Sequence, residues 1–151
     1  MIVWRLCREE YANLSGIGAY LYGGRWNSQG NSVVYTASSL SLAFLELLPG
    51  LRKGSHPKGY VSLEIHISDQ ATREEIPLNE FPKNWREGKG HNWFLQKGDD
   101  WIRSKRNLLL IVPSVIVPSE YNIIINPQHH EISEVKIAKL SSFHIDSRFI
   151  I

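Results

Sequence analysis

The chain has 151 residues, 42% of them hydrophobic, and a formal net charge of +2. That length suits one domain, residues 1–151, with a real core, and so mild a basic balance neither demands nor excludes an anionic ligand. The single cysteine, Cys7, excludes an internal disulfide, and no apolar run approaches the roughly 20 residues of a membrane span.

Ile2 to Cys7 reads as a short strand, with Cys7 a small core residue. Arg5, Arg8, Glu9 and Glu10 interrupt any stretch resembling a signal peptide. With one unpaired cysteine this leads to the expectation of a soluble, cytoplasmic protein without a membrane partner. Tyr11 to Asn31 is rich in Gly, Asn and Ser and reads as loop and turn. Val33 to Ala37 is a strand. Ser38 and Ser39 can cap a helix from Leu40 to about Leu48, which Pro49-Gly50 ends. From Gly59 to Ile67, Val61, Leu63, Ile65 and Ile67 alternate with polar residues, the pattern of a half-buried strand.

Pro77, Pro82, Gly88, Gly90 and Gly98 punctuate the next stretch, with Trp85, Trp93 and Trp101 between them. Short helices are expected there, one from Asp99 to Lys105. Leu108 to Val112 is a strongly apolar strand ending at Pro113. Val115 to Val117 and Tyr121 to Ile125 read as further strands or edges, as do Val135 to Leu140 and Phe143 to Arg148. Helices and strands do not alternate regularly, so the predicted class is α+β with a mixed or antiparallel sheet and short helices.

Gly23 to Glu46 carries the densest chemistry. Arg25 stands among Gly23, Gly24 and Gly30, and its planar fork of donors suits phosphate or carboxylate. It could equally tie a loop to backbone carbonyls. No GxxxxGK[ST] is present, and Gly16-Ile17-Gly18 lacks the third glycine of a dinucleotide fingerprint. Glu46 is a lone carboxylate in an apolar helix, so it must be paired, protonated, poised for chemistry or at the edge of the buried stripe. Tyr35 is a core aromatic or a stacking surface for a ligand ring. Ser114 follows an apolar strand, where either a turn serine or a ligand-facing residue belongs. No second matched carboxylate supports a glycosidase pair, and no G-x-S-x-G supports a serine hydrolase.

His129, His130 and Glu131 are adjacent on a loop without the thiolates of a structural zinc site, so no metal is expected. The Trp and Lys/Arg residues between Trp85 and Arg106 allow a nucleic-acid-binding alternative, although the run is short and the overall charge low.

Taken together, these segments resemble the RES domain family, named for its arginine, glutamate and serine, whose members are toxins of Xre–RES toxin–antitoxin pairs. The resemblance rests on Leu14 to Ala19, Gly23-Gly24-Arg25-Trp26-Asn27, Val34-Tyr35-Thr36-Ala37, Leu42-Ala43 with Leu45-Glu46, Val112-Pro113-Ser114, Asn126-Pro127 with His129, and Asp146 with Arg148. Leu48-Pro49-Gly50 departs from relatives that often carry a histidine after the glutamate. The resemblance implies a fold like that of ADP-ribosyltransferase toxins and an enzyme that degrades NAD+, taken as substrate rather than as resident cofactor. It implies that Arg25, Glu46 and Ser114 are catalytic, and that Tyr35 and Asn126 join them in binding NAD+. It further implies an Xre-type helix-turn-helix antitoxin that blocks the pocket, a toxin homodimer within the complex, and no direct contact of the toxin with nucleic acid. The ADP-ribosyl acceptor stays open between water, phosphate and a protein.

Overall fold

The protein is described from a computed structural model that covers residues 1–51 and 56–150. Seven strands form one sheet: β1 (Ile2–Arg8), β2 (Val34–Ala37), β3 (Tyr60–Ile67), β4 (Arg73–Glu75), β5 (Leu109–Pro113), β6 (Tyr121–Ile125) and β7 (Val135–Ser142). Their order is β4-β5-β6-β2-β1-β3-β7. β4 pairs with β5 in parallel and the other neighbours are antiparallel. The helices are α1 (Ile17–Tyr22), α2 (Leu40–Leu47) and α3 (His91–Ser104). This is the expected α+β class with a mixed sheet.

Alternation along the strands sends side chains to opposite faces, and each face has its own core. Val3, Val34, Leu63, Ile65, Leu109, Ile123 and Ile125 pack together on one face, closed by Ala12, Leu14 and Ile132. The other face carries two clusters. Leu110, Val112 and Ile124 lie under Phe94, Trp101 and Ile102 of α3. Leu6, Ala37 and Tyr60 lie under Leu42 and Ala43 of α2.

Ser39 begins α2 as expected: its backbone is extended and its hydroxyl accepts from the Leu42 N–H at 3.1 Å. On this helix Leu42 and Ala43 are buried, whereas Leu45 is 37% exposed.

Four local expectations change. Residues 17–22 are helical where a loop was expected, because Gly16 and Gly23 sit at the two caps of a segment too short to show periodicity. α3 starts at His91 rather than Asp99. Val115 to Val117 is not a strand, because the Ile116 and Val117 N–H groups both turn back to the Ser114 hydroxyl at 3.1 Å. Phe143 to Arg148 is not a strand either: Asp146 accepts from the Arg148 N–H at 2.9 Å and caps a short 3-10 turn at Ser147–Phe149.

Gly98 explains why a helix as long as α3 can lie so close to the glycine-rich loop. A Cβ at this position would stand 1.6 Å from the Trp26 carbonyl oxygen. Trp26 itself is buried and meets Phe94 edge-on, with ring centroids 5.0 Å apart. Edge-to-face pairs of this kind contribute about 0.5–1.5 kcal/mol beyond area burial. The loop carrying Arg25 is therefore packed onto α3 along its length.

Candidate active site

The central strands of the sheet come apart where the site lies. β1 and β2 are paired at Trp4↔Ala37 alone. Beyond that point β1 follows β3 and β2 follows β6. The gap is a cavity of about 390 Å³, within the size range of small-molecule sites. Its walls include the consecutive residues Trp4 to Cys7 of β1 and Tyr35 to Ala37 of β2. Consecutive residues can line one cavity only if it looks onto strand edges rather than onto a sheet face. A second cavity of about 300 Å³ adjoins it and shares Arg5, Cys7, Gly23 and Tyr35.

Glu46 enters from the last turn of α2. Its Oε1 accepts from the Ser114 hydroxyl at 2.7 Å. Ser114 is fully buried, and its oxygen accepts the Ile116 and Val117 N–H groups. A serine hydroxyl has one proton and two lone pairs, so with both lone pairs occupied its proton is directed at Glu46. Oε2 of Glu46 has no protein partner among the described residues. Among the described residues the carboxylate is thus held at Oε1 alone, and Glu46 lines the cavity.

Arg25 lines the cavity from the glycine-rich loop. Its guanidinium carbon lies 5.2 Å above the Phe94 ring, and no carboxylate pairs with it among the described residues. Tyr35 lines the same cavity with its hydroxyl committed to the loop: it donates to Asn27 Oδ1 at 2.7 Å and accepts from the Trp26 N–H at 3.0 Å. Burial pushes its phenol far above the ordinary value, against the opposing effect of the Trp26 N–H. Gly24 is required beside it, since a Cβ there would lie 2.7 Å from the Tyr35 hydroxyl. Tyr35 is therefore a strut for the loop as well as a wall of the cavity.

Two further readings from the sequence meet protein contacts in the structure. Asn126, expected to bind ligand, does not line the cavity. It is fully buried, donates to the Ile102 carbonyl at 3.3 Å and accepts the Gln128 N–H at 3.0 Å, so both ends of its amide are committed to the protein. The aromatic residues of the nucleic-acid alternative are not free platforms: Trp101 is buried, and Trp85 and Trp93 pack on the Phe81–Phe94 cluster.

His129, His130 and Glu131 bring ligand-type atoms within 4.8 Å of one another. His129 and Glu131 already make hydrogen bonds within the protein. His129 Nδ1 accepts the Glu131 N–H at 3.1 Å, and the Glu131 carboxylate takes the Thr72 N–H and hydroxyl. The Thr72 hydroxyl bond is the main reason the Glu131 carboxyl lies below its usual value.

Two residues that escaped the sequence analysis shape the site. Asp99 is buried and accepts from the Ser28 N–H (2.9 Å), the Ser28 hydroxyl (2.6 Å) and Asn31 Nδ2 (2.8 Å), clasping the loop to α3. Arg5 stands in β1 and lines both cavities. An arginine between Trp4 and Leu6 in an apolar strand was the available signal for it.

The sequence matches the RES domain family over residues 2–146. This chain belongs to that family. Among its relatives, the "Prs ADP-ribosylating toxin" of Sphingobium sp. (strain YBL2) is 37% identical over 153 residues, covering 97% of this chain and 95% of that protein. "Toxin Res" of Yersinia enterocolitica is 36% identical over 131 residues, covering 85% and 86% respectively. "Toxin Res" of Photorhabdus laumondii is 34% identical over 153 residues, covering 99% and 97%. A chain of the Mycobacterium tuberculosis MbcT–MbcA toxin–antitoxin complex has a similar fold, with a TM-score of 0.75 at 16% identity, over 95% of this chain and 84% of that one. Among the described residues of this RES domain, no helix is long and apolar enough to cross a membrane. Its cleft presents a cation at Arg25 and an anion at Glu46, an arrangement that can hold a ligand with one negatively and one positively charged part.

Proposed function

We propose that this RES domain is the toxin of a toxin–antitoxin pair, acting in the cytoplasm, and that it cleaves the nicotinamide–ribose bond of NAD+. The observation that carries this reading is Glu46, which lines the gap between β1 and β2 and is held at 2.7 Å by a buried Ser114 hydroxyl. NAD+ pairs a cationic pyridinium with an anionic pyrophosphate, which matches a carboxylate and an arginine in one cleft. NAD+ is the substrate, and the chemistry needs no resident cofactor.

As the C1′–N bond breaks, its electron pair leaves on nicotinamide, a neutral base that needs no protonation. Positive charge develops on the ribose. A fixed carboxylate beside it stabilises that transition state more than the ground state. Glu46 supplies the charge and can also hold a ribose hydroxyl. Ser114 acts through Glu46 as a positioning residue. Arg25 takes the pyrophosphate and, with the Tyr35 wall, fixes the dinucleotide in place, so that less entropy is lost in reaching the reactive geometry. The acceptor oxygen, from water or inorganic phosphate, bonds to C1′ and releases its proton to Glu46 or to solvent.

A second reading is ADP-ribosyl transfer to a protein, supported by the name of the Sphingobium relative. The same bond breaks and a protein side chain is the acceptor. Part of the proposal, too, is an antitoxin partner, since the similar fold was solved in a toxin–antitoxin complex. An Xre-type helix-turn-helix protein closing the cleft and a toxin homodimer are its finer details.

The test is to incubate the purified chain with NAD+ labelled in the adenylate phosphate, with and without inorganic phosphate and candidate target proteins. Free nicotinamide establishes cleavage. ADP-ribose, its phosphate ester or label on a protein then names the acceptor. Glu46→Gln is expected to abolish nicotinamide release while leaving the melting temperature within a few degrees. Undiminished release by this variant would remove Glu46 from the reaction.

A further inference from the structure

Asp146 and Arg148 belong to the segments by which the sequence resembles its family, yet the proposed reaction gives them no part. They lie in the C-terminal segment after β7. Arg148 donates from Nε to Asp146 Oδ1 at 3.0 Å and from Nη2 to Oδ2 at 2.9 Å, and its own N–H reaches Oδ1 at 2.9 Å. Both carboxylate oxygens thus meet the planar fork, which fixes the geometry of the short 3-10 turn at Ser147–Phe149. The Arg148 side chain is 83% exposed, so the pair adds little to stability. It sets a direction instead. The turn brings Phe149 edge-on to Phe44 of α2, with ring centroids 5.1 Å apart and planes at 85°. Phe143, at the start of the same segment, meets the Phe44 ring at 5.7 Å. Between them Ile145 is buried in one cluster with Leu42 and Ala43, and Ile150 packs against that cluster. The Phe143 N–H ties the segment to the sheet through the Tyr60 carbonyl at 2.9 Å. The chain therefore leaves the end of β7 and crosses α2 as a strap.

Glu46 follows Ala43 by three positions and Leu42 by four, so it shares their sheet-facing side of α2. An α-helix turns about 100° per residue, which puts Phe44 about 200° from Glu46, on nearly the opposite flank. Resting on the NAD+ reading above, we propose that the strap, residues 143–150, is a positioning element for Glu46. Phe149 is its contact residue on Phe44, and the Asp146–Arg148 fork holds Phe149 there. α2 has eight residues, too few to keep its shape and place without packing partners. Clamped between the sheet and the strap, it keeps Glu46 within 2.7 Å of the Ser114 hydroxyl. A helix released on the Phe44 flank can draw back from the gap, and a displacement of about 1 Å can cost roughly 100-fold in rate.

The test compares the full chain as wild type, Phe149→Ala, Phe149→Tyr and Arg148→Ala. It measures kcat for nicotinamide release and KM for NAD+ well below each Tm, with hydrogen exchange at the α2 amides alongside. Phe149→Ala is expected to lower kcat about 10-fold with KM within about twofold, because the strap acts on Glu46 and not on the ligand. Exchange quickens at Phe44 to Leu47 while β3 and β5 keep their protection. Phe149→Tyr keeps the ring and restores kcat to within about twofold of wild type. Arg148→Ala changes an exposed side chain, so the fold stays intact, and it moves kcat and α2 exchange the same way by a smaller amount. It carries the test if Phe149→Ala does not fold.

A strap that only stabilises the fold would lower Tm and leave the kcat of folded protein unchanged. Wild-type kcat in folded Phe149→Ala, a loss that tyrosine does not restore, or unaltered α2 exchange in the variants would each overturn the assignment. Hydrogen exchange is read without turnover. Faster exchange confined to α2, in a protein whose wild type leaves NAD+ intact, therefore supports the hold of the strap on α2 while refuting the NAD+-cleaving function.

Discussion

Replacing Asp99 by alanine removes the clasp between α3 and the loop that presents Arg25. The carboxylate accepts three hydrogen bonds, of 2.9, 2.6 and 2.8 Å, and its side chain is only 7% exposed. Hydrogen bonds to a charged group contribute about 1.5–3 kcal/mol each. Three at the lower figure sum to about 4.5 kcal/mol, and water reaching the half-buried Ser28 and Asn31 recovers roughly a third of that. Arg103, largely exposed and 3.8 Å away, adds little. The expected loss is about 3 kcal/mol, which in a chain of this length lowers Tm by about 10 °C.

Urea unfolding and thermal melts measure this loss directly, and one below about 1 kcal/mol would refute the role of the clasp. The pH dependence supplies a separate check. Burial alone would raise the Asp99 carboxyl, but the bonds from Ser28 and Asn31, with Arg103, outweigh it and hold the group below its usual value. A depressed carboxylate contributes stability that is fully present above its unfolded-state pKa, about 3.9, and is lost as pH falls through the lower folded value. The stability gap between wild type and Asp99→Asn is therefore complete at neutral pH and closes below about pH 4.

Gly98→Ala drives a Cβ to within 1.6 Å of the Trp26 carbonyl oxygen, a main-chain contact that no rotamer change relieves. The expected result is destabilisation at or above the upper end of the roughly 1–3 kcal/mol typical of overpacking, with a changed near-ultraviolet circular dichroism signal from Trp26; an unaltered melt and spectrum would contradict the packing described. Ser114→Ala leaves Glu46 unheld and removes the acceptor of the Ile116 and Val117 N–H groups. In the NAD+ assay kcat is expected to fall roughly 10- to 100-fold, with a Tm lower by a few degrees. Unchanged kcat would show that Glu46 keeps its position without the serine.

Much of the sheet was legible because its strands carry strong local signals. Alternation in β3, the unbroken apolar run of β5 and the serine cap before α2 each mark an element without help from the rest of the chain. α3 was legible only in its second half: Gly98 reads as a breaker, and only its contact with the Trp26 backbone shows why a glycine belongs inside the helix. α1 was hidden by the glycines at its ends.

The candidate site divides in the same way. Arg25, Tyr35, Glu46 and Ser114 stood out by residue type in unusual surroundings, and they come together around one gap, three of them on its wall and Ser114 behind Glu46. Asn126 was equally prominent in the sequence, yet it serves the turn after β6. By itself the sequence determined the family, the α+β class and which side chains are candidates for chemistry, because those depend on residue identity and short-range pattern. Only the tertiary structure decided that β1 and β2 part after a single pairing, that the Ser114 proton points at Glu46, that Asp99 clamps the loop and that Arg5 faces the cavities. Each of these depends on atoms from segments distant in the chain meeting within hydrogen-bonding or van der Waals range, and no local pattern encodes that proximity.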